Sequence, residues 1–376
     1  MEFTEEQKIL LSTVHRAVEE HIAPVAAETD REGRFNWDVV DLFWDLGLLQ
    51  IMLPAQYGGW PENPCYTLCL CTEEIAKACA SSALLLIIQA VGSFPILHAG
   101  NDSQKQRLLP RISQARELIG YLVTEPGAGS DVKSISCKAE KSGPYYIVNG
   151  RKTFATNGAV ARLYCVLAKT RDNELTFFVV DRESDGLSIG KIEEKCGFRG
   201  SNTAEVILDE VRVPVENLLG EPGDGFDLAM ADFNMSRPAV AGLALGIAEG
   251  ALSYATQYAK ERRAFGKALV EHQAVLFMLA DAKMLIEAGR GLMERAALSF
   301  DAGNPSPELS SMAKCFCTDA AMKITTDMVQ VLGGYGYTKD YPLERMFRDA
   351  KLTQIFEGTN QIQRVVIGRE LTKRIP

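Results

Sequence analysis

The chain has 376 residues, 47% of them apolar and 24% charged, with a formal net charge of -9. It is long enough to bury a sizeable core, and its acidity argues against an extended nucleic-acid surface, which needs clustered excess Lys and Arg. Nine cysteines without a CxxC pair and four histidines leave no metal-ligand spacing, so no metal is expected and most thiols should be buried, in a reducing compartment.

At the N-terminus, "MEFTEEQKILL" carries three Glu in its first six residues and no basic segment, so neither a secretion signal nor a transit peptide is expected. A bacterial, cytoplasmic location is the expectation. In "TEEQKILLSTVHRAVEEHI" the periodicity places Ile9, Leu10, Val14, Val18 and Ile22 on one helix face, opened by a Thr4–Gln7 capping box. Further helices are expected at about 36–50, 65–99 and 102–114. The stretch "ASSALLLIIQAVGSFPILHAG", residues 80–100, has the length of a membrane span. Its Ser81, Ser82, Gln89, Gly92, Ser93 and Pro95 favour instead a buried helix that breaks near Gly92, with no membrane insertion.

From about 116 to 225 the texture turns to short β-rich runs: "LIGYLVTE", "YYIVNGRKTFAT", "LYCVLAK", "LTFFVVD" and "AEVILDEVRV". Asn149-Gly150 and Asn157-Gly158 read as turns. After the Gly-rich "GEPGDGF", residues 220–226, helical patterns return at about 227–263, 268–302, 307–332 and 360–372. The expected fold class is α+β, mostly α, in three parts: an N-terminal helical domain at 1–115, a small middle β domain at 116–225 and a C-terminal helical bundle at 226–376. "GAGSDV", residues 127–132, lacks the third glycine of GxGxxG, so no Rossmann domain is expected.

Several motifs admit two readings. In "YLVTEPGAGSD", residues 121–131, Gly127 and Gly129 let the backbone approach a ligand while Thr124 and Ser130 offer hydroxyls; the same loop reads as a common Gly/Ser turn. "YAKERRAFGK", residues 258–267, is a helix breaking at Gly266 whose basic end suits a C-terminus, or it puts Arg262 on a pyrophosphate with Phe265 beside it. "QVLGGYGY", residues 330–337, is a helix C-cap or a close-approach backbone for a dinucleotide, with Gln330 as anchor. In "QIFEGTNQIQR", residues 354–364, Glu357 precedes Thr359, a candidate N-cap. Glu357 either complements the helix dipole, which lowers its pKa, or is a base raised about two units by burial.

Taken together, "YLVTEPGAGSDV", "KCGFRGSNTAEVILDEVRVPVENLLG", "RPAVAGLALGIAEGAL", "YAKERRAFGKALVEHQA", "VQVLGGYGYTKDYPLERMFRDAK" and "IFEGTNQIQR" resemble the acyl-CoA dehydrogenase family. The likeness is nearest to its medium-chain members, as in "HAGNDSQKQRLLPRI", and takes in nearly the whole chain. It implies the same three-part fold, ending in a four-helix bundle that assembles homotetramers. It also implies FAD held between the β domain and the bundle, with a neighbouring subunit contributing.

Position by position, the resemblance places flavin contacts on Tyr121, Leu122, Val123 and Thr124, with Ser130 nearby. A second flavin segment, usually Trp-Ile-Thr, is here Phe154, Ala155 and Thr156, which removes bulk at that edge. Arg262, Phe265 and Gln273 are implied to reach the FAD of another subunit, together with Gln330, Gly333 and Gly334, while Thr359 and Gln361 touch FAD beside the base. For CoA the match points to Ser130, Asn234, Arg237 and Arg369, with Arg237 also lining the base's surroundings.

The implied chemistry makes Glu357 the base that takes the α-proton of an acyl-CoA thioester while the β-hydride passes to flavin N5. The Glu357 N–H and a flavin ribityl hydroxyl polarise the thioester carbonyl. Electrons are expected to pass to electron-transferring flavoprotein; an oxidase role is disfavoured because the chain lacks the oxidases' extra C-terminal domain. The acyl pocket is expected at the break in the 80–98 helix, the 233–237 segment, Phe356 and Gly358, with Ile87 and Val91 among its apolar lining. Ile87 matches a glutamate of medium-chain relatives, and no Asp or Glu falls in 80–100, so a saturated straight, branched or alicyclic acyl group is expected. A ring would lose hydrogens by ordinary 1,2-dehydrogenation. The alternatives are an enoyl-CoA reductase running in reverse, and a flavin monooxygenase or nitroalkane oxidase on the same fold.

Overall fold

The computed structural model describes residues 4–171 and 174–373; the acidic start at Met1–Phe3 lies outside them. The first helical layer comprises α1 (Glu5–Ala17), α2 (Ala26–Glu32), α3 (Trp37–Asp45), α4 (Pro64–Ala76), α5 (Ala80–Ala99) and α6 (Asp102–Ser113). The capping box forms, with Gln7 N donating to Thr4 Oγ1 and Thr4 N to Gln7 Oε1, each at 3.2 Å. Val14, Val18 and Ile22 are buried as expected, but Ile9 is 66% exposed. Gln7 is the buried residue of the first turn, and its amide donates to Thr67 Oγ1 of α4 at 3.3 Å. The polar side chain therefore belongs to the packed face.

The helix expected over 65–99 is two helices, separated where Cys79 turns extended. The break expected near Gly92 is absent, and α5 runs on through Gly92 and Pro95 to Ala99. Gly92 serves packing, since a Cβ there would meet Ile119 Cγ2 at 2.5 Å. The mean hydropathy of α5 reaches 1.8 and 94% of that window is buried inside the protein, so its apolarity belongs to the core.

An eight-stranded sheet follows, built from β1 (Ile119–Leu122), β2 (Lys138–Ser142), β3 (Tyr145–Thr156), β4 (Leu163–Arg171), β5 (Glu174–Asp181), β6 (Leu187–Ile192), β7 (Thr203–Pro214) and β8 (Leu218–Leu219). Its order is β6-β7-β3-β2-β4-β5-β8, with β1 pairing parallel to β4. The apolar runs all became strands. β2 and β6 were not expected, because "KAEKS" and "LSIGKI" face solvent along most of their length and lack a strong apolar alternation. Asn149-Gly150 is not a turn: it is a bulge inside β3, where Asn149 Oδ1 accepts from Glu210 N at 2.8 Å and a Cβ on Gly150 would meet Cys137 at 2.7 Å. Asn157-Gly158 does turn, with Asn157 at φ 61°.

The 37-residue helix α7 (Gly225–Glu261) opens the last part. It ends at Glu261, where Arg262 turns extended, not at Gly266, which instead forms the turn of a hairpin between β9 (Arg263–Ala264) and β10 (Lys267–Ala268). Then come α8 (Gln273–Asp301), α9 (Pro307–Leu332), α10 (Leu343–Thr353) and α11 (Asn360–Lys373). α10 was not anticipated, although "LERMFRDAKLT" is amphipathic. α7, α8 and α9 pack on one another, with α10 and α11 against α9.

α7 also packs on α4 through Gly242, Gly246 and Gly250, one per turn. Cβ atoms there would meet the Cys69, Glu73 and Lys77 carbonyl oxygens at 2.6, 2.2 and 2.3 Å, so only glycine admits this approach. Asp301, at the end of α8, caps α4 by accepting from Cys65 N and Tyr66 N, each at 2.9 Å. Eight of the nine cysteines are buried, Cys196 being exposed.

Candidate active site

Glu357 lies in the loop between α10 and α11, and polar bonds from three directions hold that loop. Thr359 Oγ1 accepts from Ile362 N at 3.3 Å, the N-cap bond anticipated for α11. Gln363 Nε2 donates to the carbonyls of Glu357 and Gly358 at 3.1 and 2.8 Å. From α9, Lys314 Nζ donates to Gly358 O and Asn360 Oδ1, each at 2.9 Å. Held this way, Glu357 sits at φ 55°, a conformation that non-glycine residues adopt at a cost and that clusters at functional sites.

The Glu357 carboxyl accepts from Ser236 Oγ of α7 at 2.8 Å. Burial raises its pKa, opposed by the Ser236 bond and by the Arg237 and Lys314 charges. The dipole reading is therefore the lesser effect, and burial decides. The residue as a whole is partly exposed while its carboxyl is enclosed.

Arg237 is buried, its guanidinium 4.9 Å from the Phe233 ring centroid and its Nη1 3.3 Å from Ser311 Oγ. Burial lowers its pKa to about 10. This position sets Arg237 beside the Glu357–Gly358 loop. Asn234, one turn before Pro238 on α7, is buried with its Oδ1 lacking a partner in the protein.

Ser236, Lys314, Gln363 and Asp232, the last fully buried on α7, were not singled out from sequence. Their signal was slight: single polar residues on otherwise apolar helical faces, as with Lys314 in "SSMAKCFC". Burial pushes the Lys314 ammonium down to about 7.

The expected flavin residues gather at the end of β1. Leu122 and Val123 are buried, Thr124 is half-buried, and Thr153 N donates to Thr124 O at 2.9 Å, bringing the 154–156 segment alongside. Phe154 is 64% exposed at φ 53° in the β3 bulge, Ala155 is buried and Thr156 half-buried. Ser130 is exposed on the adjoining loop. Beneath this loop Lys152 and Glu125 form a buried ion pair at 2.8 Å. Ile87 and Val91 are buried in α5; with α5 unbroken, no helix gap lies beside them.

A second cluster stands at the far end of α7. Arg262, Gln330, Gly333 and Gly334 line a cleft of about 550 Å³ with Tyr258, Tyr335 and Thr338. Arg262 lies 5.7 Å from the Tyr335 ring centroid, and the space around both glycines is open. Phe265, at 97% exposure, and Gln273 are exposed on the segment after α7, and Gln361 and Arg369 are exposed on α11. A cation, a polar anchor and bare backbone at an open cleft fit the anionic portion of a dinucleotide such as FAD. Twenty-six residues separate Ser236 from Arg262, about 39 Å of helix.

Helical, β and helical parts in this order, with a buried carboxylate on the loop before the last helix, match a family of FAD-dependent oxidoreductases acting on CH–CH bonds. Three family profiles match: the N-terminal domain over residues 4–116, the middle domain over 120–211 and the C-terminal domain over 223–372. The chain belongs to the acyl-CoA dehydrogenase family. It is 57% identical, over 98% of its length and 97% of the relative's, to cyclohexane-1-carbonyl-CoA dehydrogenase of Syntrophus aciditrophicus (strain SB). It is 43% identical, over 98% of its length and 91% of the relative's, to cyclohex-1-ene-1-carbonyl-CoA dehydrogenase of that organism. The solved structure of butyryl-CoA dehydrogenase from Megasphaera elsdenii matches with a TM-score of 0.96 at 37% identity, over 99% of each chain.

Proposed function

We propose that this protein dehydrogenates an alicyclic acyl-CoA, cyclohexane-1-carbonyl-CoA or a close analogue, to the 2-enoyl thioester, with Glu357 taking the α-proton. The observation that carries the reading is the buried carboxyl of Glu357, bonded to Ser236 and set near Arg237 and Lys314. Burial raises its proton affinity toward that of a working base, and the nearby Arg237 and Lys314 keep the anion accessible. The Glu357 N–H has no acceptor among the described residues and is free to polarise the thioester carbonyl. The ring assignment rests on the name of the relative at 57% identity and on the apolar α5 lining at Ile87 and Val91.

FAD, when bound, supplies the two-electron acceptor for the β-hydride. Tyr121–Thr124, Ser130, Phe154–Thr156, Thr359 and Gln361 would hold its flavin end. Arg262, Phe265, Gln273, Gln330, Gly333 and Gly334 would hold the FAD of another copy, because about 39 Å of helix separates Arg262 from the base of its own chain. That division supports a homo-oligomer, in line with the tetramer implied by the family. Asn234, Phe356, Gly358 and Arg369 complete the substrate side, and electron-transferring flavoprotein is the expected electron acceptor.

The test is anaerobic flavin bleaching by a panel of straight, branched, cyclic and dicarboxylic acyl-CoAs. Cyclohexane-1-carbonyl-CoA should bleach fastest. A preference for a straight chain would overturn the ring assignment, and no bleaching by any thioester would overturn the dehydrogenase reading.

A further inference from the structure

The active site holds a second acid. Asp232 lies one helical turn before Ser236 on α7, and the i, i+4 spacing puts both on the face that reaches Glu357. Asp232 is fully buried, and neither carboxyl oxygen has a hydrogen-bond partner in the protein. The Tyr121 hydroxyl of β1 lies beside it, close enough to influence its ionisation but outside bonding geometry, and it too lacks a partner.

The surroundings of the two acids differ. Asp232 is influenced electrostatically by the Glu357 carboxyl, by Tyr121 of β1 and, on its own helix, by Arg237, and it acts in turn on Cys165 of β4. Glu357 has the Ser236 donor, Arg237 and, from α9, Lys314. One cation is common to both acids; Glu357 has in addition the Ser236 hydroxyl bond and, up to about neutral pH, the Lys314 ammonium. Two enclosed carboxyls that feel each other cannot both ionise cheaply, so the better-supported one ionises first.

Resting on the reading of Glu357 as the base, we propose that Asp232 and Glu357 form a coupled pair carrying one proton in the resting enzyme. Asp232 holds that proton and faces Tyr121, and Glu357 is left ionised to receive the proton of the substrate. Asp232 acts through Glu357 and is a positioning residue.

The experiment is infrared spectroscopy of the FAD-loaded protein, with aspartate isotope-labelled at its side-chain carboxyl, titrated upward from neutral pH. Asp349, whose burial raises it to about 7, ionises early in that range and is separated by its titration. A labelled protonated-carboxyl band beyond that of Asp349 should be present in the wild type and vanish in Asp232→Asn. In Glu357→Gln, which removes the repelling charge, that band should titrate about one pH unit or more lower. This comparison needs no change at Asp232, so misfolding of Asp232→Asn leaves it intact. Absence of the band in the wild type, or the same titration point in Glu357→Gln, would overturn the pair. Either result would leave flavin bleaching untouched, whereas failure of bleaching would not remove the band.

Discussion

Ser236 Oγ donates to Glu357 Oε2 at 2.8 Å, tying the middle of α7's N-terminal half to the loop between α10 and α11. The bond opposes the burial that raises the Glu357 pKa, so the carboxyl stands between two effects of opposite sign. Hydrogen bonds to charged groups contribute about 1.5–3 kcal/mol, equivalent to roughly one to two pKa units. Ser236→Ala should therefore move the acid limb of the bleaching rate to higher pH, and an unmoved limb would dissociate Ser236 from the titrating group.

Lys152 and Glu125 form an ion pair buried beneath the Thr124 loop, and Lys152 also donates to Val123 O at 3.1 Å. Lys152→Met leaves Glu125 charged and enclosed, which should cost about 3–5 kcal/mol in urea unfolding. Changing both residues to apolar ones should recover only part of that loss, because Glu125 also accepts from Ser136 N and Cys137 N.

Asp349 of α10 accepts from Phe198 N at 2.6 Å, and burial raises its pKa from 3.8 to about 7. With the folded pKa above the unfolded one, its contribution is present at low pH and is lost as pH rises through about 7. Asp349→Asn keeps an acceptor for Phe198 and removes the titration. It should be more stable than wild type near pH 8, by up to about 4 kcal/mol, with the difference shrinking toward pH 4. Thermal unfolding across pH reads this directly.

Arg262→Ala should lower the FAD content of the purified protein and leave its helix content unchanged, because Arg262 is exposed and stands outside α7. Full retention of yellow colour would remove Arg262 from the cofactor site.

Much of this was legible because local pattern and tertiary need agreed. β3 occupies Tyr145–Thr156, the same bounds its β-rich run indicates, and Thr4 and Gln7 form the capping box their spacing implies. Where the reading failed, a tertiary demand overrode a local rule. Gly92 and Gly150 resembled a break and a turn, yet each is bare backbone for a neighbour, Ile119 in one case and Cys137 in the other. Ile9 gave way to Gln7 because Thr67 offered the amide a partner. Within the site, the identity of Glu357 followed from a motif, whereas its electrostatic setting did not. Ser236, Lys314 and Asp232 lie 121, 43 and 125 positions from it, and only folding brings them to one carboxyl.

The central claim is that Glu357 is the base, and anaerobic bleaching of the FAD-loaded protein by cyclohexane-1-carbonyl-CoA, wild type against Glu357→Gln, tests it most directly. The wild type should bleach, and Glu357→Gln should bind the thioester and FAD yet stay yellow. Bleaching of Glu357→Gln at the wild-type rate would contradict the account.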